Sequence, residues 1–380
     1  MALKVLVSAG EVSGDQHLAR VVRALKESLP DVVVRGMAGR ESQEAGVILD
    51  VDCYRSGAAM GFMELIRSAT TIISSFRVMA RKLREWRPDV IVLVDYPDFN
   101  LRLAKIARSL GIPVVYFIPP KVWAWRKRRI KRISRYVDKV AAIFPFEPAF
   151  YARHGYNQVV YVGHPLSEII GRVEPCEARE NSLLLMPGSR RSEVVRILVP
   201  ILRAFARLRG KRPHLRATVL LAPNMDREWA QSLARTHIDP SALAATDWVS
   251  GEPLDQMRRA RVGVLKSGTC NLEGAIAGLP FVCVYSGGLV ARVITFFLVT
   301  LRECSPVNII RSGTVRELMR VRLPEAAVEH EIERIFDDGQ ARSEMITNLA
   351  SVRDALWGDQ AQGTVSQRVA RLIIESSVRS

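Results

Sequence analysis

The sequence predicts an α/β protein built from two Rossmann-like, doubly wound domains that face a central cleft. Three observations lead to this expectation. The chain has 380 residues, more than a single hydrophobic core usually supports. Its composition, 48% hydrophobic and 25% charged, is that of an ordinary globular protein. Short β-branched runs alternate with helical stretches along most of the chain, which is typical of parallel sheets joined by crossover helices.

Ten short apolar runs are expected to form strands, six in the first half of the chain and four in the second. These runs are Lys4–Ser8, Val32–Arg35, Asp89–Val94, Val114–Phe117, Lys139–Phe144, Val159–Val162, Leu183–Met186, Ala217–Leu221, Val262–Leu265 and Phe281–Tyr285. Helices are expected at about 192–209 and 269–277, and the sequence from Pro324 to Ser376 is helical in character.

Turn-forming and charged residues between Gly163 and Glu180 mark a domain boundary. We therefore expect an N-terminal domain over residues 1–170 and a C-terminal domain over residues 171–345. The remaining residues, 346–380, are expected to form separate C-terminal helices.

The net charge, the cysteine content and the apolar runs indicate which partner and which cellular compartment to expect. The net charge of +16 implies an acidic partner, either nucleic acid, anionic lipid or a phosphorylated substrate. Five scattered cysteines without a C-x-x-C pair indicate a reducing cytoplasm. The longest apolar run, Val293–Leu301, is far shorter than the ~20 residues that span a bilayer. We expect neither a transmembrane helix nor an export signal.

One turn in the second half combines the features of an anion site. The segment Pro187-Gly188-Ser189-Arg190 follows an apolar strand and opens a helix. Backbone N–H groups in such a turn bind anions together with the positive end of the helix, and Arg190 can add a charge-assisted hydrogen bond to a phosphate. A diphosphate would suit this turn. The alternative is an ordinary turn with Ser189 or Ser192 as the helix cap.

A second turn, Ser267-Gly268-Thr269, also follows a strand and opens a helix. Its hydroxyl and N–H groups would face the same cleft, and Glu273 in that helix can bind ribose hydroxyls or simply favour the helix dipole. This half of the chain contains neither G-x-x-x-x-G-K-[ST] nor a full G-x-G-x-x-G motif. Their absence argues against a P-loop NTPase and weakens the case for NAD.

The first strand is followed by a segment rich in acidic and hydroxyl groups. Glu11, Ser13 and Asp15 leave this strand through two glycines. They suit recognition of sugar hydroxyls better than recognition of phosphate. Capping of the next helix by Ser13 or Asp15 is the alternative.

Two further carboxylates, Asp95 and Asp98, follow a fully apolar strand. A carboxylate at the end of a buried strand is suited to general base catalysis, because partial burial raises its pKa. Asp98 is expected to cap the helix that starts near Phe99. Asp95 is therefore the better catalytic candidate.

A helix near residues 60–76 has an apolar face wider than a core helix needs. The apolar residues expected to contact lipid are Phe62, Leu65, Ile66, Ile72, Ile73 and Phe76. The run Trp123–Arg135 adds two tryptophans and many cations, which is typical of docking on an anionic membrane. The alternatives are a core helix for the first stretch, and a solvated basic helix or RNA binding for the second.

Together these motifs resemble the lipid-A-disaccharide synthases, a family of glycosyltransferases of the GT-B type. The matching segments run in the family's order along nearly the whole chain. They are Ser8–Asp15, Met60-Gly61, Asp95–Asn100, Val122–Arg126, Phe144–Glu147, Val162–Pro165, Pro187–Arg190, Ser267–Thr269 with Glu273, and Asn308.

The resemblance implies transfer of a 2,3-diacylglucosamine unit from UDP to 2,3-diacylglucosamine 1-phosphate, which yields a β-1′,6-linked disaccharide and UDP. Asp95 would act as the base in an inverting displacement that needs no metal and no other cofactor. Asn308 would join the turn residues in binding the donor. The residues implied for acceptor binding are Glu11, Ser13, Gly14, Asp98 and Asn100.

The resemblance also implies a cellular location, a membrane partner and an assembly. The enzyme would be cytoplasmic and peripherally associated with the anionic inner-membrane surface, with no nucleic acid partner. The C-terminal helices would cross back to the first domain or onto a partner chain, and a homodimer is one expected assembly.

Two other functions fit parts of this sequence. A UDP-sugar epimerase or hydrolase would use the same scaffold without a lipid acceptor. A non-catalytic RNA-binding protein would explain the basic run, but aromatic RNA-binding motifs such as RNP1 are absent.

Overall fold

The computed structural model describes residues 2–53, 62–124, 126–171, 179–251, 253–286, 303–320 and 322–378, with the backbone only at 62–69. The chain divides into two compact units. The first comprises Met1–Ile169 and Leu356–Ser380, and the second comprises Ile170–Ala355.

The first unit contains a parallel sheet with helices packed against it. Its strands are Lys4–Ala9 (β1), Val33–Ala38 (β2), Ile48–Asp52 (β3), Val90–Val94 (β4), Val114–Phe117 (β5), Lys139–Ala142 (β6) and Val159–Tyr161 (β7). Its helices up to the unit boundary are Val12–Ser28 (α1), Arg40–Glu44 (α2), Phe62–Trp86 (α3), Pro97–Ser109 (α4), Ile130–Tyr136 (α5), Glu147–Ala152 (α6) and Pro165–Ile170 (α7), with a 3₁₀ turn at Lys127–Arg129. The strand order is β3-β2-β1-β4-β5-β6-β7.

The second unit repeats this architecture. Its strands are Glu180–Met186 (β8), Arg216–Leu221 (β9), Thr246–Ser250 (β10), Ala260–Lys266 (β11), Phe281–Ser286 (β12) and Glu317–Arg320 (β13). Its described helices are Arg191–Lys211 (α8), Arg227–Arg235 (α9), Pro240–Ala244 (α10), Leu254–Arg259 (α11), Thr269–Ile276 (α12), Pro306–Ile310 (α13), Glu325–Phe336 (α14) and Gln340–Trp357 (α15). The strand order is β10-β9-β8-β11-β12-β13.

Both sheets are parallel throughout their described strands, which confirms the predicted class of two doubly wound domains. The central strands are apolar because helices cover both faces of the sheet. All five residues of Val90–Val94, for example, are buried.

All ten predicted strands are present, and three further strands, β3, β10 and β13, were not predicted. Each of the three lies at an edge of its sheet. Edge strands are covered less completely, so they carry charged residues instead of a continuous apolar run. The sequence of β13, Glu-Leu-Met-Arg, illustrates this, since its last two residues are exposed.

The carboxyl ends of the two central strands are level in each sheet. Ala9 of β1 pairs with Val94 of β4, and Met186 of β8 pairs with Leu265 of β11. The strand order reverses between these two strands, and such a switch point leaves a crevice beyond the strand ends where α/β proteins bind ligands.

The last helix, Val365–Ser377 (α16), returns to the first unit of its own chain, after a 3₁₀ turn at Gln360–Gln362. It packs on α1 and on β4, β5 and β6. Where the returning chain enters, His164 N–H donates to the Leu356 carbonyl (2.8 Å), and Glu168 accepts hydrogen bonds from the backbone and hydroxyl of Ser366 (3.1 and 2.8 Å).

The predicted start of the C-terminal segment, residue 346, lies inside α15. The structure changes units at Leu356 instead. The reason is that α15 is one continuous helix anchored in the second unit, where Arg342 donates to the carbonyls of Arg261 (3.2 Å) and Ile335 (2.8 Å).

A ladder of ion pairs joins α8 to α14 in the second unit. The cations are spaced about one turn apart along α8, and the carboxylates are spaced about one turn apart along α14. Successive cations therefore face successive carboxylates. The pairs are Arg203–Glu325 (3.0 Å), Arg207–Glu329, Lys211–Glu329 (2.9 Å), Lys211–Glu333 (2.7 Å) and Arg212–Asp337 (2.6 Å). Glu329 is buried in the middle of the ladder. Burial acts to raise its pKa, but Lys211 and Arg207 outweigh this effect and hold the pKa below its usual value.

We predict that Glu329→Gln lowers the melting temperature near neutral pH by about 2–4 °C. Because the folded pKa of Glu329 is depressed, its stabilisation is present above the unfolded value, near 4.5, and is lost as pH falls through the folded value. The difference between the two proteins should therefore shrink in acid. Thermal unfolding from pH 7 to pH 3 measures this, with the exposed Glu228→Gln as control. A difference that persists unchanged at low pH would contradict the ion-pair explanation.

Candidate active site

Asp95 and Glu11 lie at the switch point of the first sheet. Asp95 directly follows β4, and Glu11 follows β1 after Gly10. Burial raises the pKa of Asp95, and a hydrogen bond from the Tyr96 backbone and the charge of Lys121 oppose this rise. Burial also raises the pKa of Glu11, and the negative charge of Asp95 raises it further. The carboxyl group of Asp95 is the more buried of the two, and that of Glu11 is exposed.

The backbone at Asp95 is strained and firmly held. Asp95 and Tyr96 both have positive φ angles, 45° and 47°, which are uncommon for residues other than glycine. The Asp95 N–H donates to the Phe117 carbonyl (3.2 Å). The Asp95 carbonyl accepts from the Tyr116 hydroxyl (2.7 Å) and the Asn100 amide (2.8 Å). These bonds fix the position from which the carboxylate projects.

Two turns and a pocket lie at the switch point of the second sheet. The turns follow β8 and β11, and the pocket beside them has a volume of about 290 Å³. Its lining includes Leu220, Leu221, Ala222, Pro223, Gly251 and Pro253, in addition to Gly188, Ser189, Ser267, Gly268, Thr269 and Glu273. Six of the residues predicted to bind the donor therefore share one pocket.

Glu193 joins the two turns. Its carboxylate accepts long hydrogen bonds from the N–H groups of Ser189 (3.3 Å) and Arg190 (3.4 Å) and pairs with Lys266 at the end of β11 (2.9 Å). Burial acts to raise the pKa of Glu193, but Lys266 outweighs it and the pKa is lowered. Gly188 is required here, since its φ is 119° and a Cβ would lie 2.6 Å from the Glu193 carboxylate.

Arg190, which was also predicted to bind the donor, follows Ser189 in the chain but does not line this pocket. The Arg190 side chain is 79% exposed, and its one ion pair with the described residues is a long contact of 3.4 Å with Glu193. The helix α12 begins at Thr269 without a side-chain cap, so its positive end is available to a ligand.

Comparison with known families matches residues 5–348 to the family described as lipid-A-disaccharide synthetase. The chain belongs to this family. The lipid-A-disaccharide synthase of Koribacter versatilis is 33% identical, with 99% of both chains covered, and that of Myxococcus xanthus is 34% identical, with 97% of both covered. Family membership makes the protein a glycosyltransferase that forms a lipid A disaccharide.

Solved structures identify the fold as GT-B. A UDP-GlcNAc 2-epimerase from Neisseria meningitidis bound to UDP-GlcNAc has a TM-score of 0.61 at 13% identity over all of both chains. MurG from Acinetobacter baumannii has a TM-score of 0.60 at 15% identity, over 98% of this chain and 99% of its own. A ugt transferase from Siraitia grosvenorii in complex with UDP has a TM-score of 0.64 at 11% identity, over 99% of this chain and 100% of its own. At these identities the likeness concerns the fold alone.

Three residues predicted to contact substrates in this synthase family are buried. Asn100 accepts from the Ser8 hydroxyl (2.7 Å) and donates to the carbonyls of Val94, Asp95 and Ser8, so it ties the ends of β1 and β4 together. Gly14 lies in the first turn of α1 and is buried. Asn308 bonds to both backbone groups of Val315 (2.9 Å each) and to Glu317 (2.8 Å). In this structure the polar groups of Asn100 and Asn308 bond to the protein itself, and their assignment as substrate contacts stays a prediction.

The remaining acceptor-side residues divide into exposed and paired groups. Glu11 and Ser13 are exposed at the start of α1. Asp98 is 69% exposed and pairs with Arg129 (2.5 Å) and Arg126 (3.5 Å). The preference for Asp95 over Asp98 as the base stays a prediction.

Asp15 is a cap, but for a different helix from the predicted one. Its carboxylate accepts from the N–H groups of Gly39, Glu41 and Ser42 at the start of α2. Asp15 therefore does cap a helix, as the alternative prediction expected. The capped helix is α2, however, and not α1, which follows β1.

The described part of the apolar helix α3 is mostly a core helix. Ile72 and Phe76 pack against the core of the first unit, which corrects their predicted role as lipid contacts, whereas Ile73 is 52% exposed. The side chains of Phe62, Leu65 and Ile66 lie outside the described residues. Among the described residues, no helix is both long and apolar enough to cross a bilayer.

Trp123 of the basic run is also buried. Its indole N–H donates to Glu147 (3.0 Å), and its ring contacts Phe144 and Phe146. The side chain therefore packs inside the first unit and does not dock on a membrane.

Sequence reasoning assigned no role to Lys121, Glu147, Glu193 or Lys266. Burial raises the pKa of Glu147 to about 7, although three hydrogen bonds and Lys121 act in the opposite direction. The sequence did contain one indication of a role for Glu193, because a glutamate three residues after a helix cap predicts a capping box. The cap residue of this helix, three residues before Glu193, is Arg190.

We predict that Asn308→Ala lowers the free energy of unfolding by about 2 kcal/mol or more, because it leaves buried backbone groups unpaired. Arg190→Ala should instead leave the melting temperature unchanged and weaken UDP binding. Thermal unfolding and calorimetric titration with UDP measure the two effects. A folded Asn308→Ala protein of normal stability that fails to bind UDP would restore Asn308 as a donor contact.

Proposed function

We propose that the protein transfers 2,3-diacylglucosamine from its UDP form to 2,3-diacylglucosamine 1-phosphate, with inversion at the anomeric carbon. The products are the β-1′,6-linked disaccharide 1-phosphate and UDP. Family membership supports the formation of a lipid A disaccharide. The observation that carries the donor assignment is the pocket beyond β8 and β11, which is lined by both predicted turns.

Several features of the second unit support UDP-sugar binding. Arg190 and the positive end of α12 suit the diphosphate. Glu273, one turn into α12 and at the pocket wall, has a carboxylate suited to ribose hydroxyls. Two of the solved GT-B structures are named as complexes, one with UDP-GlcNAc and one with UDP.

Asp95 is the proposed general base. Its carboxylate would take the proton of the acceptor 6-hydroxyl as that oxygen bonds to the anomeric carbon. The bond from this carbon to the diphosphate breaks in the same step, which inverts the configuration. Burial supports this role because it raises the pKa of Asp95 and makes the group a stronger base.

The leaving diphosphate would be stabilised by protein groups without a metal. Negative charge develops on its bridging oxygen as the bond breaks. Arg190 and the N-terminus of α12 offer hydrogen bonds and positive charge for this oxygen, and such preorganised donors each typically contribute ~3–4 kcal/mol to the barrier. Glu11 and Ser13 would contact acceptor hydroxyl groups.

Product analysis by mass spectrometry, with EDTA present and both lipid substrates supplied, tests the proposal. We expect disaccharide 1-phosphate and UDP in equal amounts.

We expect Asp95→Asn to fold, bind UDP and turn over about 10²–10⁴-fold more slowly. We expect Arg190→Ala to turn over about 10²-fold more slowly.

Asp98→Asn is the matched control for the base, since Asp98 lies three residues away and is held by arginines. A greater loss in Asp98→Asn than in Asp95→Asn would reverse the assignment. Free monosaccharide or an epimer without disaccharide would favour a hydrolase or epimerase. Activity that disappears only with EDTA would contradict metal independence.

We also propose that the first unit docks on an anionic membrane surface through a basic face. The cations of this face follow one another at helical spacing on α5 and the 3₁₀ turn before it, and all are exposed. They are Lys127, Arg128, Lys131, Arg132 and Arg135. Clusters of this density bind anionic lipid with about 1 kcal/mol per charge. Exposed Ile73 on α3 is a further candidate for lipid contact.

We predict that replacing Arg128, Lys131 and Arg132 with glutamine weakens binding to phosphatidylglycerol vesicles about a hundredfold. Sedimentation with vesicles measures the partition. The control replaces the exposed Arg23, Arg227 and Arg235, which changes net charge equally. Equal loss in both variants would indicate a general charge effect and contradict a specific face.

A further inference from the structure

Among the described residues, the wall of the pocket beyond β8 and β11 contains one cation, Lys266. The same wall contains one carboxylate, Glu273, which is proposed above to bind ribose hydroxyls. Arg190 was predicted to supply the positive charge, but it does not line the pocket. A diphosphate that leaves water for a pocket needs positive charge or hydrogen-bond donors at the wall. Lys266 is the lining residue that can supply the charge.

The backbone of Lys266 is firmly held. Lys266 is the last residue of β11 and pairs with Val284 of β12. Its carbonyl accepts from the Cys270 thiol (3.0 Å) and the Asn271 amide (3.3 Å), both in the first turn of α12. The N–H of the next residue, Ser267, donates to the Val284 carbonyl (2.9 Å). The lysine side chain therefore starts from a fixed point directly before the second turn.

The Lys266 ammonium lies between the two turns that follow β8 and β11. It is 2.9 Å from one carboxylate oxygen of Glu193. The other oxygen of that carboxylate accepts from the N–H groups of Ser189 (3.3 Å) and Arg190 (3.4 Å). The ammonium is therefore separated from the backbone donors of the first turn by a single carboxyl group.

Glu193 orients the ammonium without using all of its hydrogens. An ammonium has three N–H donors and no acceptor. Among the described residues, Glu193 is the one ion-pair partner of Lys266. The side chain is 17% exposed, so it is largely packed and still open to a ligand. Donors of Lys266 therefore remain for an anion that enters the pocket.

We propose that Lys266 is a donor-binding residue, whose ammonium contacts the diphosphate of the UDP-sugar while Glu193 holds it in place. The inference rests on the proposed binding of a UDP-sugar in this pocket. Lysine suits the role because its ammonium is a compact positive charge that binds phosphate oxygens. This assignment gives the diphosphate a cation in the wall of the pocket itself.

Titration with UDP by calorimetry, and with uridine by ligand-observed NMR, tests the role of Lys266. Lys266→Met should weaken UDP binding about tenfold or more, because a charge-assisted hydrogen bond to phosphate is lost. Uridine binding should not change, because uridine has no phosphate. Arg235→Met is the charge-matched control on α9, where the side chain is exposed, and it should leave both affinities unchanged.

Variants of Glu193 separate phosphate binding by Lys266 from a purely structural ion pair. Glu193→Gln keeps an oxygen that can accept from Lys266 and from the turn, so UDP should bind within about threefold of the wild type. The double variant Lys266→Met with Glu193→Gln leaves no unpaired carboxylate and should bind UDP as weakly as Lys266→Met. Equal losses in the two single variants, without further loss in the double variant, would show that the ion pair alone matters and would overturn the inference.

Two further outcomes bear on the inference in different ways. Unchanged UDP affinity in Lys266→Met, or an equal loss of uridine affinity, would contradict the role of Lys266 while the wild-type protein still binds UDP. Failure of the wild-type protein to bind UDP would contradict the donor assignment on which the inference rests. The wild-type titration therefore distinguishes failure of the proposed function from failure of the role given to Lys266.

Discussion

The reversal of strand order beside β1, and again beside β8, is the constraint on which both candidate sites depend. Central strands with level carboxyl ends bring their following turns together, while the helices after them leave on opposite faces. In the first unit, Asn100 holds this arrangement by bonding to the ends of both strands. Gly10 completes it, because a Cβ there would lie 2.2 Å from the Tyr96 ring.

Each unit places a carboxylate and a lysine near its switch point, with different consequences. In the second unit Lys266 contacts Glu193 at 2.9 Å, and the pair locks the two turns together. In the first unit Lys121 acts on Asp95 without an ion pair, and burial prevails, so the Asp95 pKa is raised. A contact pair gives a fixed anion with a structural role. Of the two carboxyl groups, Asp95 is the more readily protonated, because its pKa is raised by burial and that of Glu193 is lowered by Lys266.

The central strands, and the fact that the turns after β8 and β11 line one pocket, could be predicted from the sequence because both follow from local patterns. A continuous apolar run identifies a buried strand, and a glycine turn between strand and helix identifies an anion site. The edge strands could not be recognised this way, since β3, β10 and β13 lack such a run.

The direction in which a polar side chain points was the harder problem. Asn100 and Asn308 occur in motifs that resemble binding sites, yet both face inward and bond to backbone. Asp15 caps a helix that begins 25 residues later in the chain, at Arg40. Trp123 finds its partner in Glu147. Such pairings depend on tertiary structure, and spacing along the sequence does not reveal them.

The return of α16 to the first unit has a consequence for how the protein is made. The helix covers β4, β5 and β6, but it is encoded after the whole of the second unit. On the ribosome, the second unit therefore has all its residues before the first unit does. Domains usually fold in the order of their synthesis. In this protein most of the first unit is translated first, but part of its sheet stays uncovered until the residues of α16 have been synthesised.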